Sequence, residues 1–224
     1  MNAMLEQAFS EIGAGLEWDR GRGFEIDILS RQGAERYRIQ EPWGNSLELE
    51  VTDVSPHFRH LVLDVTGTSS GRYLCGHDES HWFVAGLIRN RRSGTVRGAM
   101  ESLKPIEVLR EERRKGVKPA CGLRRNAVFL RQGEWFFLPR PKMCVSPLAV
   151  ERNGHLVRDA RKPHRVDELY SNRDQDETFV RGRVRHVDHE TLHLDVWHRV
   201  VGNTETAPDR NPVVEPEQSI AWLD

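Results

Sequence analysis

Apolar residues at the start of the chain recur at helical spacing. Leu5, Ala8, Phe9 and Ile12 fall at i, i+3, i+4 and i+7, one stripe of an amphipathic helix. Gly13 and Gly15 stop it, and Trp18–Gly23 reads as turn-rich. The period then drops to two. Phe24, Ile26 and Ile28 alternate with acidic residues, Tyr37 and Ile39 alternate with arginines, and Gly33 supplies a hairpin turn between them. Leu47–Val51, Leu61–Val65, Tyr73–Cys75 and His81–Val84 predict further strands. Residues 1–90 therefore read as a helix followed by an antiparallel meander with one wet face.

Beyond residue 90 the pattern mixes. Val96, Ala99, Met100 and Leu103 suit a short helix with Thr95 as N-cap, and Pro105 opens a second over Ile106–Lys115, ended by Gly116. Hairpins are predicted about Gln132-Gly133 and about Asn153-Gly154, the latter the strongest short turn signal in the chain. Thr178–Val201 predicts two more strands. Pairing Val184 with Leu194 puts the apolar residues on one face, Arg183 opposite Asp195, and Arg181 beside Trp197. The fold class is α+β: an N-terminal helix, a meander sheet, a short helical pair, then further hairpins. Residues 1–201 read as one globular domain, with a sub-domain split near 88–95 as the alternative. Residues 202–224 read as a flexible acidic tail.

Composition narrows the class. Six Trp and eight Phe in 224 residues exclude general disorder. Three cysteines without CxxC spacing make no disulfide framework. With no signal-peptide pattern and no apolar run long enough to span a bilayer, the expectation is a cytoplasmic protein without membrane contact.

Charge changes the picture more. Residues 86–165 hold 20 Lys and Arg against 7 Asp and Glu, whereas residues 1–85 hold 7 against 14 and residues 166–224 hold 6 against 13. A basic centre between acidic arms predicts RNA or DNA binding, because guanidinium and ammonium groups neutralise phosphates and release counterions. The residues that would carry it are Arg89, Arg91, Arg92, Arg97, Lys118, Arg124, Arg125, Arg131, Arg158, Arg161, Lys162 and Arg165. The competing reading is that the acidic arms fold against the centre and cancel its field.

Two clusters could carry chemistry. Cys75, His77, Glu79 and His81 share one side if the strand is continuous. If a hairpin interrupts it, Cys75 and His81 meet at its base as a nucleophile and base; the alternative is a small core cysteine beside a loop histidine. His186, Asp188, His189 and His193 mix imidazole and carboxylate, the material of a divalent-metal site, although a structural hairpin accounts for most of them. No cofactor is expected apart from such a metal. P-loop, GxSxG and dinucleotide GxGxxG motifs are absent.

Three functions follow: a nucleic-acid-binding accessory protein without chemistry of its own; a metal-dependent hydrolase or nuclease using the His, Asp and Cys clusters; and a protein-interaction module whose acidic arms and C-terminal peptide, with Trp222, dock on a partner. The enzyme reading overtakes the binding one if residues 75–81 and 186–198 meet in a cleft.

Overall fold

A computed structural model describes residues 3–31, 33–44, 47–79, 81–90, 92–118, 122, 124–158 and 162–206. Arg91, Arg161, Trp222 and the tail from residue 207 lie outside the described residues.

The chain is α+β, and its described residues form three α-helices and three sheets. Helix α1 (Ala3–Glu11) buries the stripe read above: Leu5, Phe9 and Ile12 are all within 2% of fully buried. Strands β1 (Gly15–Gly21), β2 (Glu25–Arg31) and β3 (Ala34–Pro42) form the first sheet in the order β1-β3-β2. The second is a four-stranded meander of β4 (Leu47–Ser55), β5 (His60–Gly67), β6 (Gly71–Asp78) and β7 (His81–Gly86). Helices α2 (Val96–Ser102) and α3 (Ile106–Arg114) follow. The third sheet has the order β10-β11-β12-β13-β9-β8, from β8 (Leu130–Gln132), β9 (Trp135–Pro139), β10 (Glu151–Leu156), β11 (His164–Asn172), β12 (Glu177–His186) and β13 (His189–Gly202).

Alternation places the cores. One face of the meander packs Leu61, Leu63 and Tyr73 against α1 and the first sheet. Its other face packs Val62, Leu74 and Ala85 against Val96, Ala99 and Leu103 of α2 and its C-terminal end. The fully buried Tyr37 ties the first two sheets together, its hydroxyl 3.0 Å from the carbonyls of both Gly76 and Phe83. The third sheet has its own core around Phe137, Val166, Val180 and Leu194, while Phe136 and Leu138 on the opposite face meet Val108 of α3. The Thr95 hydroxyl accepts the Gly98 N–H at 3.1 Å, the expected cap.

Several local expectations are corrected. The stretch read as turn-rich is largely strand β1, and it pairs parallel to β3 rather than extending an antiparallel meander. Asn153-Gly154 makes no turn; it lies inside β10, which pairs with β11. Gly154 is required there by close approach, since a Cβ would stand 2.8 Å from the Leu169 Cβ. In the last hairpin Val184 faces Leu192 rather than Leu194, because the turn is only Val187-Asp188, with His186 paired directly with His189, and a one-residue register shift between Val184 and His186 completes the offset. Arg183 consequently bonds Asp167 instead of Asp195, while Arg181 does lie over the Trp197 ring, 4.9 Å from its centroid.

Candidate metal centre

The β6–β7 hairpin also closes more tightly than expected. Asp78 pairs with His81, and Cys75 pairs with Val84, so Cys75 and His81 do not meet. Cys75 is fully buried in the first core, and burial pushes its thiol far above the ordinary range; it is no nucleophile. His77 packs edge-on against Trp82.

The tip of this hairpin reaches the tip of the last one. Glu79 sits at φ 54, a left-handed conformation that a tight turn imposes. Its carboxylate accepts the Glu190 N–H at 2.9 Å, lies 3.4 Å from Nδ1 of His189, and pairs with Arg124. His81 bridges the same junction, with Nδ1 2.7 Å from Glu35 and Nε2 3.5 Å from Asp188. The two chemistry-bearing segments, over a hundred residues apart in sequence, therefore meet.

Behind them lie three imidazoles, His164, His186 and His189, each offering a ligand nitrogen within 4.8 Å of the others. His164 and His186 stack with centroids 4.3 Å apart, and His189 lies 5.9 Å from His164. His164 opens β11 and is 1% exposed, yet neither of its ring nitrogens has a hydrogen-bond partner. A neutral imidazole carries one donor and one acceptor, so both are orphaned, at about 1–3 kcal/mol each. Burial, and repulsion from His186 and His189, lower its pKa to about 3; burial also lowers that of His186. His164 and His186 are therefore held in the neutral form that metals bind. Gly133, at φ +56, presents no side chain where a Cβ would stand 3.0 Å from His189 Nε2 and 3.5 Å from His164 Nε2.

These residues fit a metal by donor chemistry and by the orphaned nitrogens. Three imidazoles suit zinc and its first-row neighbours rather than magnesium or calcium. A tetrahedral ion needs nitrogens roughly 3.3 Å apart, so separations of up to 4.8 Å must close by up to about 1.5 Å. His186 is the least free, because its Nδ1 accepts the Asp188 N–H at 3.2 Å; the Asp188 carboxylate, 3.9 Å away, can take an Nδ1–H if that bond is released. Glu79 beside His189 Nδ1 favours a proton there and leaves Nε2 facing Gly133 and His164.

His186 and His189 line a cleft of about 560 Å³ between the sheets. One wall is apolar, with Trp82 and Val84 beside Ile26 and Ile28; Phe83, Met100 and Leu103 form the other. The polar lining holds five carboxylates, Asp27, Asp78, Glu134, Asp188 and Glu205, against Arg131 and Lys162. Glu134 is 8% exposed and within electrostatic reach of His186.

His164 and Glu134 carry no motif in the sequence, Gly133 is marked only as a hairpin turn, and nothing beyond membership of a histidine-rich stretch marks His164. His193 is exposed and pairs across the hairpin with Arg183, away from the cluster. Much of the basic centre is spoken for. Arg89 pairs with Asp64, Arg124 with Asp78 and Glu79, Arg131 with Asp78, Arg158 with Glu205, and Lys162 with Asp188. Every one of those acids lies in an acidic arm. Arg92, Arg97, Lys118, Arg125 and Arg165 are exposed. Among the described residues no helix is long and apolar enough to cross a membrane.

The chain matches no protein family, no curated protein and no solved structure.

Proposed function

We propose that this protein is a metal-dependent hydrolase whose metal is held by His164, His186 and His189. The observation that carries the reading is the wholly buried His164, with two unpartnered nitrogens, backing two histidines that open on a cleft. Three protein ligands leave a position for water, the arrangement of catalytic rather than structural zinc sites. A bound metal would lower the pKa of that water and polarise an acyl oxygen.

The chain's own residues supply the rest. Glu79, 3.4 Å from His189 Nδ1 though not in hydrogen-bond geometry, favours a proton on that nitrogen by its charge. Glu134 on the cleft wall takes a proton as the water oxygen bonds to the acyl carbon, and returns it to the leaving atom as the old bond breaks. His81 and Lys162 hold the Asp188 turn in place.

Nuclease action in this cleft has less support, since its lining cations Arg131 and Lys162 are already engaged by Asp78 and Asp188 rather than open to a phosphate backbone. Nucleic-acid binding elsewhere rests on the exposed arginines and lysine, and a tail-mediated protein partner on residues outside the described ones. The test is turnover of activated aryl esters and amides by full-length protein, stripped with chelator and reloaded with zinc, cobalt or manganese. Activity restored by metal and lost in Glu134→Gln supports the proposal; a protein that takes up metal and hydrolyses nothing, or hydrolyses equally without it, refutes it.

A further inference from the structure

Among the described residues strand β7 lies at the edge of the meander, with β6 its only strand neighbour in that sheet. Five consecutive residues of it, His81–Ala85, line the cleft, a track of roughly 16 Å. Its first residue is held against Asp188, in the turn that carries His186 and His189, so the track leads to the imidazole cluster.

The outward groups of this edge can be read from their neighbours. The Trp82 N–H donates to Glu35 at 2.9 Å, and the Gly86 carbonyl accepts the Thr206 N–H at 3.0 Å. Both groups point away from β6. Residues two apart on a strand point the same way, so the N–H and C=O of Val84 face the cleft between them. Thr206 is a single antiparallel bridge, the chain's own demonstration that this edge accepts a strand. In that register residue 208 would stand opposite Val84. Residue 208 is proline, which has no N–H to give the Val84 carbonyl, whereas a peptide with an ordinary residue at that position can make both bonds.

We infer that the substrate is an extended peptide, which adds antiparallel to the β7 edge through Val84 and runs toward the imidazole cluster. The inference rests on the hydrolase reading for the cleavage step and on the edge alone for binding. Main-chain bonds to Val84 supply register, and the apolar walls on either side of β7 take alternate side chains. Asp27 and Glu134 on the cleft wall favour lysine or arginine at the peptide's ends. Cleavage adds water across a peptide bond: oxygen joins the carbonyl carbon, and the nitrogen leaves as an amine carrying the proton relayed by Glu134.

The probe is a capped, lysine-flanked peptide of alternating valine and threonine, titrated against full-length, metal-free protein. Two peptide sets differ only in which backbone nitrogens are methylated. Methylation at every second position is expected to weaken binding at least about tenfold while the intervening positions tolerate it, because only alternate N–H groups face the edge. Bound peptide also slows amide exchange at Val84. Val84→Pro, which removes an outward N–H on an edge strand, gives the same loss; should that variant fail to fold, the methylation series stands without it. No binding near about 1 mM peptide, or equal effects of methylation at every position, overturns the inference. So does binding that appears only once residues 207–224 are deleted, since the edge would then belong to the chain's own tail. Period-two binding without cleavage by the zinc-loaded protein instead overturns the hydrolase reading and leaves the peptide site standing.

Discussion

Acid should loosen this fold through a single buried imidazole. His164 titrates near 3 in the folded chain against 6.5 when exposed. Its folded pKa is depressed, so its contribution to stability is complete above 6.5 and is lost as pH falls toward 3, while the unfolded chain takes up a proton that the fold refuses. Each unit in that window costs about 1.4 kcal/mol, so the loss reaches about 2.7 kcal/mol by about pH 4.5 and saturates near 5 kcal/mol. The perturbation is His164→Leu, which removes the titrating group and two orphaned nitrogens while keeping an apolar volume. His60 and His198, also lowered by burial and outside the imidazole cluster, push the same way in both proteins and cancel in the comparison. The assay is urea unfolding with chelator present, from about pH 7.5 to about pH 4.5. The gap between variant and wild type should shift toward the variant by about 2.7 kcal/mol across that range. Parallel stability curves would refute the reasoning, for they would mean that His164 reaches water or a partner.

Three other outcomes follow from the same geometry. Glu79→Gln should weaken zinc binding about 10–100-fold with little change in metal-free stability, read by competition with a chromogenic chelator. Gly133→Ala combines a left-handed φ with a Cβ 3.0 Å from His189 Nε2, and should cost about 1–2 kcal/mol in thermal unfolding and impair metal uptake. Lys104, 7% exposed, bonds both oxygens of the buried Glu112 at 3.1 and 3.2 Å; Lys104→Ala should destabilise by about 3 kcal/mol in chemical denaturation, because it leaves a buried carboxylate with the neutral Asn126 amide and without its counter-charge.

Local pattern carried the elements whose cause is local. The α1 stripe, the Thr95 cap, the Gly33 turn and the meander were legible because periodicity and turn chemistry act within a few residues. Asn153-Gly154 misled because its glycine answers to Leu169 on the next strand rather than to a turn, and β1 was hidden by glycines that a parallel edge pairing tolerates. At the site, Glu79, His81, His186, Asp188 and His189 stood out by residue type. Their meeting did not, since it depends on two hairpin tips from different sheets. His164 was silent because what marks it is the absence of hydrogen-bond partners, a property of packing. The charge map was half legible: its sign pattern was plain, but its meaning turned on Asp64, Asp78, Glu79, Asp188 and Glu205 reaching back to the centre.

The most direct measurement is calorimetric titration of zinc into chelator-stripped, full-length protein carrying no histidine tag. One zinc per chain is expected, with a dissociation constant of about 1 μM or tighter. Binding should weaken at least about 100-fold in His164→Leu and stay unchanged in His193→Ala, which lies outside the cluster. A stripped protein that takes up no zinc, or one whose binding survives the loss of His164, would contradict a metal centre at the junction of the two hairpins.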